Sequence, residues 1–196
     1  MAILNGFKGE KFQFNGKINK FYNLISDFFV HINAKFNTDS NLDLIGIQVG
    51  EGQRINYIEW NATSDKIKLN NATLRSKTYF SIGEYDCIGT AETTSSFKSK
   101  EFVNSLLIHI GKYSFTITRN YKLSNFFEFT ANILNHNLCP HGIIGQTASN
   151  KGLRLSSGEQ GQGIIEGKID DYEVSGLWST NFKFNKFMKD KSHAIL

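Results

Sequence analysis

Glu166, Asp170, Asp171 and Glu173 form the densest carboxylate cluster of the chain. Two carboxylates held a defined distance apart can run acid–base glycoside chemistry. Adjacent aspartates on a strand point to opposite faces, however, which makes Asp170 and Asp171 a poor pair. A hard-cation site using Asp, Asn and backbone oxygens suits the same residues. So does a solvated edge whose like charges discourage edge-to-edge pairing. Cys139-Pro140-His141 is the only local pairing of a thiol with an imidazole. A Cys/His nucleophile needs hydrogen-bond reach and a third group orienting the base, and no flanking motif supplies one, so a structural turn with a buried thiol is expected. Metal ligation by Cys87, Cys139, His136 and His141 lacks the CxxC or HxxxH spacing of zinc sites. Trp60 and Trp178 could stack a sugar, although both sit in or beside strand patterns that favour core packing. The glycines of residues 142–145 and 158–163 are followed by no GK[ST] and open no strand–helix unit, so they are not phosphate cradles. Asn61-Ala62-Thr63 and Asn71-Ala72-Thr73 match the glycosylation sequon, which matters only on a secretory route.

The elements that must position these groups read as strands. Phe12 and Phe14 alternate with polar residues, Asn15-Gly16 has the residue types of a two-residue primed turn, and Val30, Ile32, Ala34 and Phe36 alternate with His31, Asn33 and Lys35. Alternation on either side of Asn-Gly predicts a hairpin. Further strands are expected at 45–49, 54–60, 66–69, 78–82 and 126–133. A second hairpin is expected across Gly111-Lys112, between 106–110 and 113–117. Residues 99–107 fit a short helix after a Ser cap about as well as a strand. Residues 170–174 and 180–187 alternate again, Phe182 and Phe184 returning to the core as a closing strand. Before them, residues 142–167 are rich in Gly, Ser and Gln and read as a long loop. Loops of that length in compact domains are usually functional or disordered.

Seventeen Phe, seven Tyr and seventeen Gly against a single proline favour strands joined by Gly and Asn turns. The fold class expected is all-β: one domain over 1–196, two packed antiparallel sheets in a sandwich-like arrangement, with little helix. A polypeptide of this size buries roughly 70% of its unfolded surface, enough for its own core. The net charge of +4 is mild and its lysines and arginines are scattered, so no nucleic-acid partner is expected. The basic run Lys183, Lys186, Lys189 and Lys191 reads as a solvated tail. No stretch approaches the ~20 apolar residues of a membrane span, and no signal peptide is visible. Cys87 and Cys139 read as two separate buried thiols, with a single bridge as the alternative.

Three patches together resemble the von Willebrand factor type D family, in its cysteine-poor branch. That branch includes root-cap-type domains and the C-terminal regions of inter-alpha-trypsin inhibitor heavy chains. Leu4-Asn5-Gly6, Phe12-Gln13-Phe14-Asn15-Gly16 and Tyr22-Asn23-Leu24 are similar to the family's opening. His141-Gly142-Ile143-Ile144-Gly145-Gln146-Thr147 looks like the HG(V/L)(L/I)GQT form of its glycine turn. Ile165-Glu166-Gly167, Asp171-Tyr172-Glu173-Val174 and Phe182/Phe184/Phe187 are similar to its closing segment. The family's calcium-binding Asp corresponds to Asn5 and its turn Asn to Gln146, and the crosslinking cysteines of mucin-type members are missing. The resemblance implies a β-rich domain of extracellular, wall, matrix or particle-surface assemblies, without known catalysis.

The function expected is therefore a non-catalytic structural or adhesion module that contacts a protein or glycan surface, with homo-oligomerisation open. Residues 142–167 would be its variable contact element. Binding residues expected are His141, Gln146, Thr147, Asp171 and Trp178. No cofactor is expected, calcium being the ion the family would bring. The rivals are a carbohydrate-binding module using Trp60 or Trp178, and a glycan-processing hydrolase using Asp171, Glu166 and His141.

Overall fold

Alternating apolar and polar residues become strands almost wherever they occur. A computed structural model of the protein describes residues 2–7, 9, 11–37, 41–64, 66–74, 79–82, 87–95, 101–120, 126–133, 140–148 and 168–182. Fourteen strands lie among them: β1 (Ala2–Asn5), β2 (Lys11–Phe14), β3 (Phe21–Ser26), β4 (Val30–Phe36), β5 (Leu42–Glu51), β6 (Arg54–Asn61), β7 (Ile67–Leu69), β8 (Ala72–Leu74), β9 (Tyr79–Ile82), β10 (Cys87–Ser95), β11 (Glu101–Ile110), β12 (Tyr113–Asn120), β13 (Phe126–Ile133) and β14 (Glu173–Val174). Short 3-10 turns occupy Gly145–Ala148 and Ile169–Tyr172. Among the described residues there is no α-helix, and so none long and apolar enough to cross a membrane. The all-β class follows.

The strands form one hydrogen-bonded sheet in the order β14-β3-β4-β5-β13-β12-β11-β10-β9, with β6, β7 and β8 branching from β5 and β1 and β2 from β13. Its pairings are antiparallel except that of β1 with β13. The sheet curls like a half-barrel. Within the sheet, its two wings pair where Leu42 of β5 faces Phe127 of β13. One wing is β14-β3-β4-β5-β6-β7-β8 and the other is β1, β2 and β9 to β13. Aromatic rings cross between the wings. Trp60 lies 4.6 Å from Phe127, and Phe14 of β2 lies 5.2 Å from Tyr22 and 5.0 Å from Phe36. These offset and edge contacts bury large apolar area with favourable ring geometry.

The Asn15-Gly16 hairpin is a correction. β2 pairs with β1 rather than with the strand that follows, and the turn between them closes through Gly9, whose N–H donates to Gly6 O at 3.1 Å and whose φ is +78°. Gly16 is required for space: a Cβ there would stand 2.5 Å from the Phe36 ring. β4 lies between β5 and β3, and the alternation signal did not single out β3. Its run Tyr22-Asn23-Leu24-Ile25-Ser26 is buried throughout, so period two is lost. The β11–β12 hairpin is as expected, Ile110 facing Tyr113 across Gly111 with φ +54°. Residues 101–107 belong to β11 and so take the strand alternative. Residues 142–148 are buried, not an exposed loop. The remainder of that segment and residues 183–187 lie outside the described residues, and Thr180 to Phe182 is not strand.

Candidate functional site

The wing built on β4 and β5 has an apolar inner face and a polar outer one. Ile32, Ala34, Ile45, Ile47, Ile58 and Trp60 are buried on the inner side. Strand register aligns Asn23, Asn33, Gly46, Glu59 and Lys68 in one row across the outer side, from β3 to β7. Ser26, His31, Gln48 and Tyr57 form a second row. A polar row of this kind normally faces water, yet Asn23, Asn33 and Gln48 are buried. Residues 168–182 lie over Asn33 and Gln48 as a strap, and Gly142 lies against Asn23.

The strap is held by its main chain. Asn33 Nδ2 donates to Leu177 O at 2.8 Å and to Ser179 O at 2.7 Å, and Gln48 Nε2 donates to Trp178 O at 3.0 Å. Asn33 is oriented in turn by Asn23, whose Nδ2 donates to Asn33 Oδ1 at 2.8 Å. Leu177 and Trp178 fill the space above Gly46, where a Cβ would come within 2.6 Å and 2.7 Å of them. Here glycine serves close approach rather than a turn. The Trp178 ring, partly exposed, meets Tyr57 edge to face at 5.0 Å.

A second segment, 140–148, docks beside the strap. Ser26 and His141 exchange both backbone hydrogen bonds, at 2.8 and 2.7 Å, and Ile143 N and Ile144 N donate to Asn23 O and Leu24 O. Gly142 has φ +92°, and a Cβ there would stand 2.5 Å from Asn23 Oδ1 and 2.7 Å from Leu24 O. No other residue fits. His141 stacks on Tyr172 at 5.9 Å, and Tyr172 stacks on Phe182 at 6.0 Å. Gln146 Nε2 donates to Gly142 O at 3.1 Å and to the Tyr172 hydroxyl at 3.2 Å. Thr147 Oγ1 donates to Ile144 O at 2.7 Å and accepts from Phe7 N at 2.8 Å.

The expected binding residues therefore divide. His141, Gln146 and Thr147 are buried and lock the 140–148 segment and the strap to the sheet. Asp171 accepts from its own turn's Lys168 N at 2.9 Å. Trp178 retains exposed surface. The acidic cluster disperses: Asp170 pairs with Lys17 at 2.7 Å and Glu173 with Lys20 at 2.5 Å. Glu166, His136, Cys139 and the basic residues from 183 onward lie outside the described residues. Cys87 is buried, and burial pushes its thiol up to about 12, far from the thiolate a nucleophile requires. Trp60 is fully used in packing. In the first sequon Asn61 Oδ1 is engaged by Thr63 N and Thr63 Oγ1 at 2.8 and 2.7 Å.

Asn5, the position that corresponds to the family's calcium-binding Asp, donates its amide N–H to Thr130 Oγ1 at 3.0 Å, and Gln146, at the family's turn Asn, donates to the Tyr172 hydroxyl. Calcium requires converging oxygens. Among the described residues no group of three or more His, Cys, Asp or Glu gathers to hold a metal ion.

Sequence reasoning missed a polar cluster at the β3–β4 turn. The Tyr113 hydroxyl donates to Asp27 in a very short bond that ties the two wings together. Ser26 Oγ and His31 Nδ1 lie 3.1 Å apart, and burial lowers the His31 pKa to about 4, opposed in part by the Asp27 charge. Ser26 is fully buried, so the pair cannot reach a substrate. No spacing signal links Asp27 to Tyr113, and Asn33 and Gln48 read as ordinary solvent-facing positions. Compared with known proteins, the chain matches no protein-family model and no curated sequence.

Proposed function

We propose that this protein is a non-catalytic contact module of a surface, wall, matrix or particle assembly. On this reading it is akin to the cysteine-poor von Willebrand factor type D domains, its wings packed as a sandwich, and it works at an extracellular or particle surface. The observation that carries the reading is the dispersal of the reactive groups among the described residues. Asp170, Asp171 and Glu173 turn to three different partners, and the imidazole of His141 is spent on Tyr172. The ring contacts between Trp60 and Phe127 and between Phe14 and Tyr22 support face-to-face wings. The partner is a protein or glycan surface. The test is the immobilised full-length protein probed with matrix proteins and a glycan array, alongside a hydrolase substrate panel. Saturable binding without turnover is expected, and turnover would overturn the reading. Because the family's calcium-binding Asp is replaced by the neutral Asn5, melting with and without a calcium chelator should give one midpoint.

A second reading, a glycan-binding module, is favoured by one feature. The Tyr57–Trp178 corner pairs the aromatic rings of two partly exposed residues. Loss of array binding on Trp178→Ala, with the fold retained, would select it.

A further inference from the structure

We propose that the folded protein offers Asn71 as an acceptor for an N-linked glycan and withholds Asn61, although both open the tripeptide Asn-Ala-Thr. The proposal rests on the extracellular or particle-surface reading, which supplies the secretory route that such a modification needs.

The two tripeptides are identical in sequence and opposite in setting. β7 and β8 form a hairpin in which Leu69 faces Ala72, with Asn70 at φ +48° and Asn71 at φ +68° between them. Two consecutive left-handed residues make a primed turn, and asparagine enters that region more readily than most residues with a side chain. Asn70 ties the turn to β6. Its N donates to Tyr57 O, its Oδ1 accepts from Tyr57 N and its Nδ2 donates to Asn56 Oδ1, each at 2.8 Å. Asn71 stands at the tip that Asn70 fixes, its side chain making no hydrogen bond among the described residues. Asn71, Ala72 and Thr73 are all exposed. Among the described residues β8 pairs with β7 alone, so a bulky sugar at the tip displaces no strand. Asn61, by contrast, faces Leu44 inside the β5–β6 pairing. Its Oδ1 already holds the Thr63 hydroxyl, the group that the acceptor motif places two residues after the asparagine. Ala62 between them is fully buried, its N donating to Asp43 O at 2.7 Å. That tripeptide reaches an enzyme only when the end of β6 opens.

In the transfer, Asn71 Nδ2 bonds to the anomeric carbon of a lipid-pyrophosphate-linked oligosaccharide. The carbon–oxygen bond to pyrophosphate breaks, the lipid pyrophosphate leaves with that electron pair, and Nδ2 gives up one proton.

The test presents the folded full-length protein to a single-subunit eukaryotic oligosaccharyltransferase and its lipid-linked donor. Peptides of residues 58–66 and 68–76 serve as the unfolded reference. Intact mass and peptide mapping, before and after peptide N-glycosidase, read the outcome. Both peptides should accept a glycan, whereas the folded protein should gain one at Asn71 alone. That glycan should vanish in Asn71→Gln and in Thr73→Ala and persist in Asn61→Gln, each variant melting as wild type does. An inert 68–76 peptide, no transfer to the folded protein, or transfer to Asn61 as fast as to Asn71 would each overturn the proposal. The protein secreted from eukaryotic cells behind an added leader should also carry the glycan at Asn71, and a bare Asn71 there would overturn it too. The protein and glycan binding screen is run on protein made without glycans, so the two readings fail separately.

Discussion

The inner and outer faces of β4 and β5 alternate residue by residue, and they are closed by different physics. Inside, Ile32, Ile45, Ile47 and Trp60 bury apolar surface in the core, Trp60 against Phe127. That term grows with area and is indifferent to direction. Outside, Asn33 and Gln48 close onto three carbonyls of the strap. Those bonds contribute little net stability each, but leaving a buried partner unmet is costly. The inner face therefore sets how stable the wing is, and the outer face sets which segment may lie on it.

The largest expected effect is on the inner face. Trp60→Ala should cost about 3–5 kcal/mol, since the side chain is fully buried against Phe127. A urea midpoint close to wild type would break the contrast between the faces. Next is pH. Burial holds the folded pKa of His31 near 4, below its ordinary 6.5. Folding thus favours the neutral ring, so the unfolded state binds more protons between those values. The His31 contribution is complete above about 6.5 and is lost as pH falls toward 4, by at most about 3 kcal/mol. Chemical denaturation of wild type and His31→Asn across that window checks it, and the variant should show the smaller slope.

Asn33→Ala on the outer face should cost about 1–3 kcal/mol, because two strap carbonyls lose their donor. It should also shift the emission of Trp178, which sits in the strap. A stability loss equal to that of Trp60→Ala would erase the distinction. Smallest is Lys20→Ala, which removes a partly exposed ion pair to Glu173 and should change stability by less than about 1 kcal/mol.

The faces also differ in how much of them could be read from residues alone. Val30, Ile32, Ala34 and Phe36 announce their strand because one side is apolar and the other polar. β3 hides because the 140–148 segment and the strap bury its second side as well. Asn15-Gly16 misled for a related reason: its glycine answers to the Phe36 ring, a contact twenty residues on. Gly111, whose role is local, was readable. In the site, His141, Gln146 and Thr147 stand out from the sequence, but as expected binding residues. What makes them special, however, is a set of hydrogen bonds within their own segment and to Phe7 and Tyr172, partners that no local pattern names. Asn33 and Gln48 could not be distinguished from solvent-facing residues without knowing what lies over them.

A strap separable from the sheet beneath it is the central claim, and native-state hydrogen exchange tests it most directly. Amides of residues 174–182 should exchange through openings far less costly than global unfolding, while those of β4 and β5 remain protected to the global limit. If strap and strands open together with one free energy, the strap is simply part of the core, and the claim is contradicted.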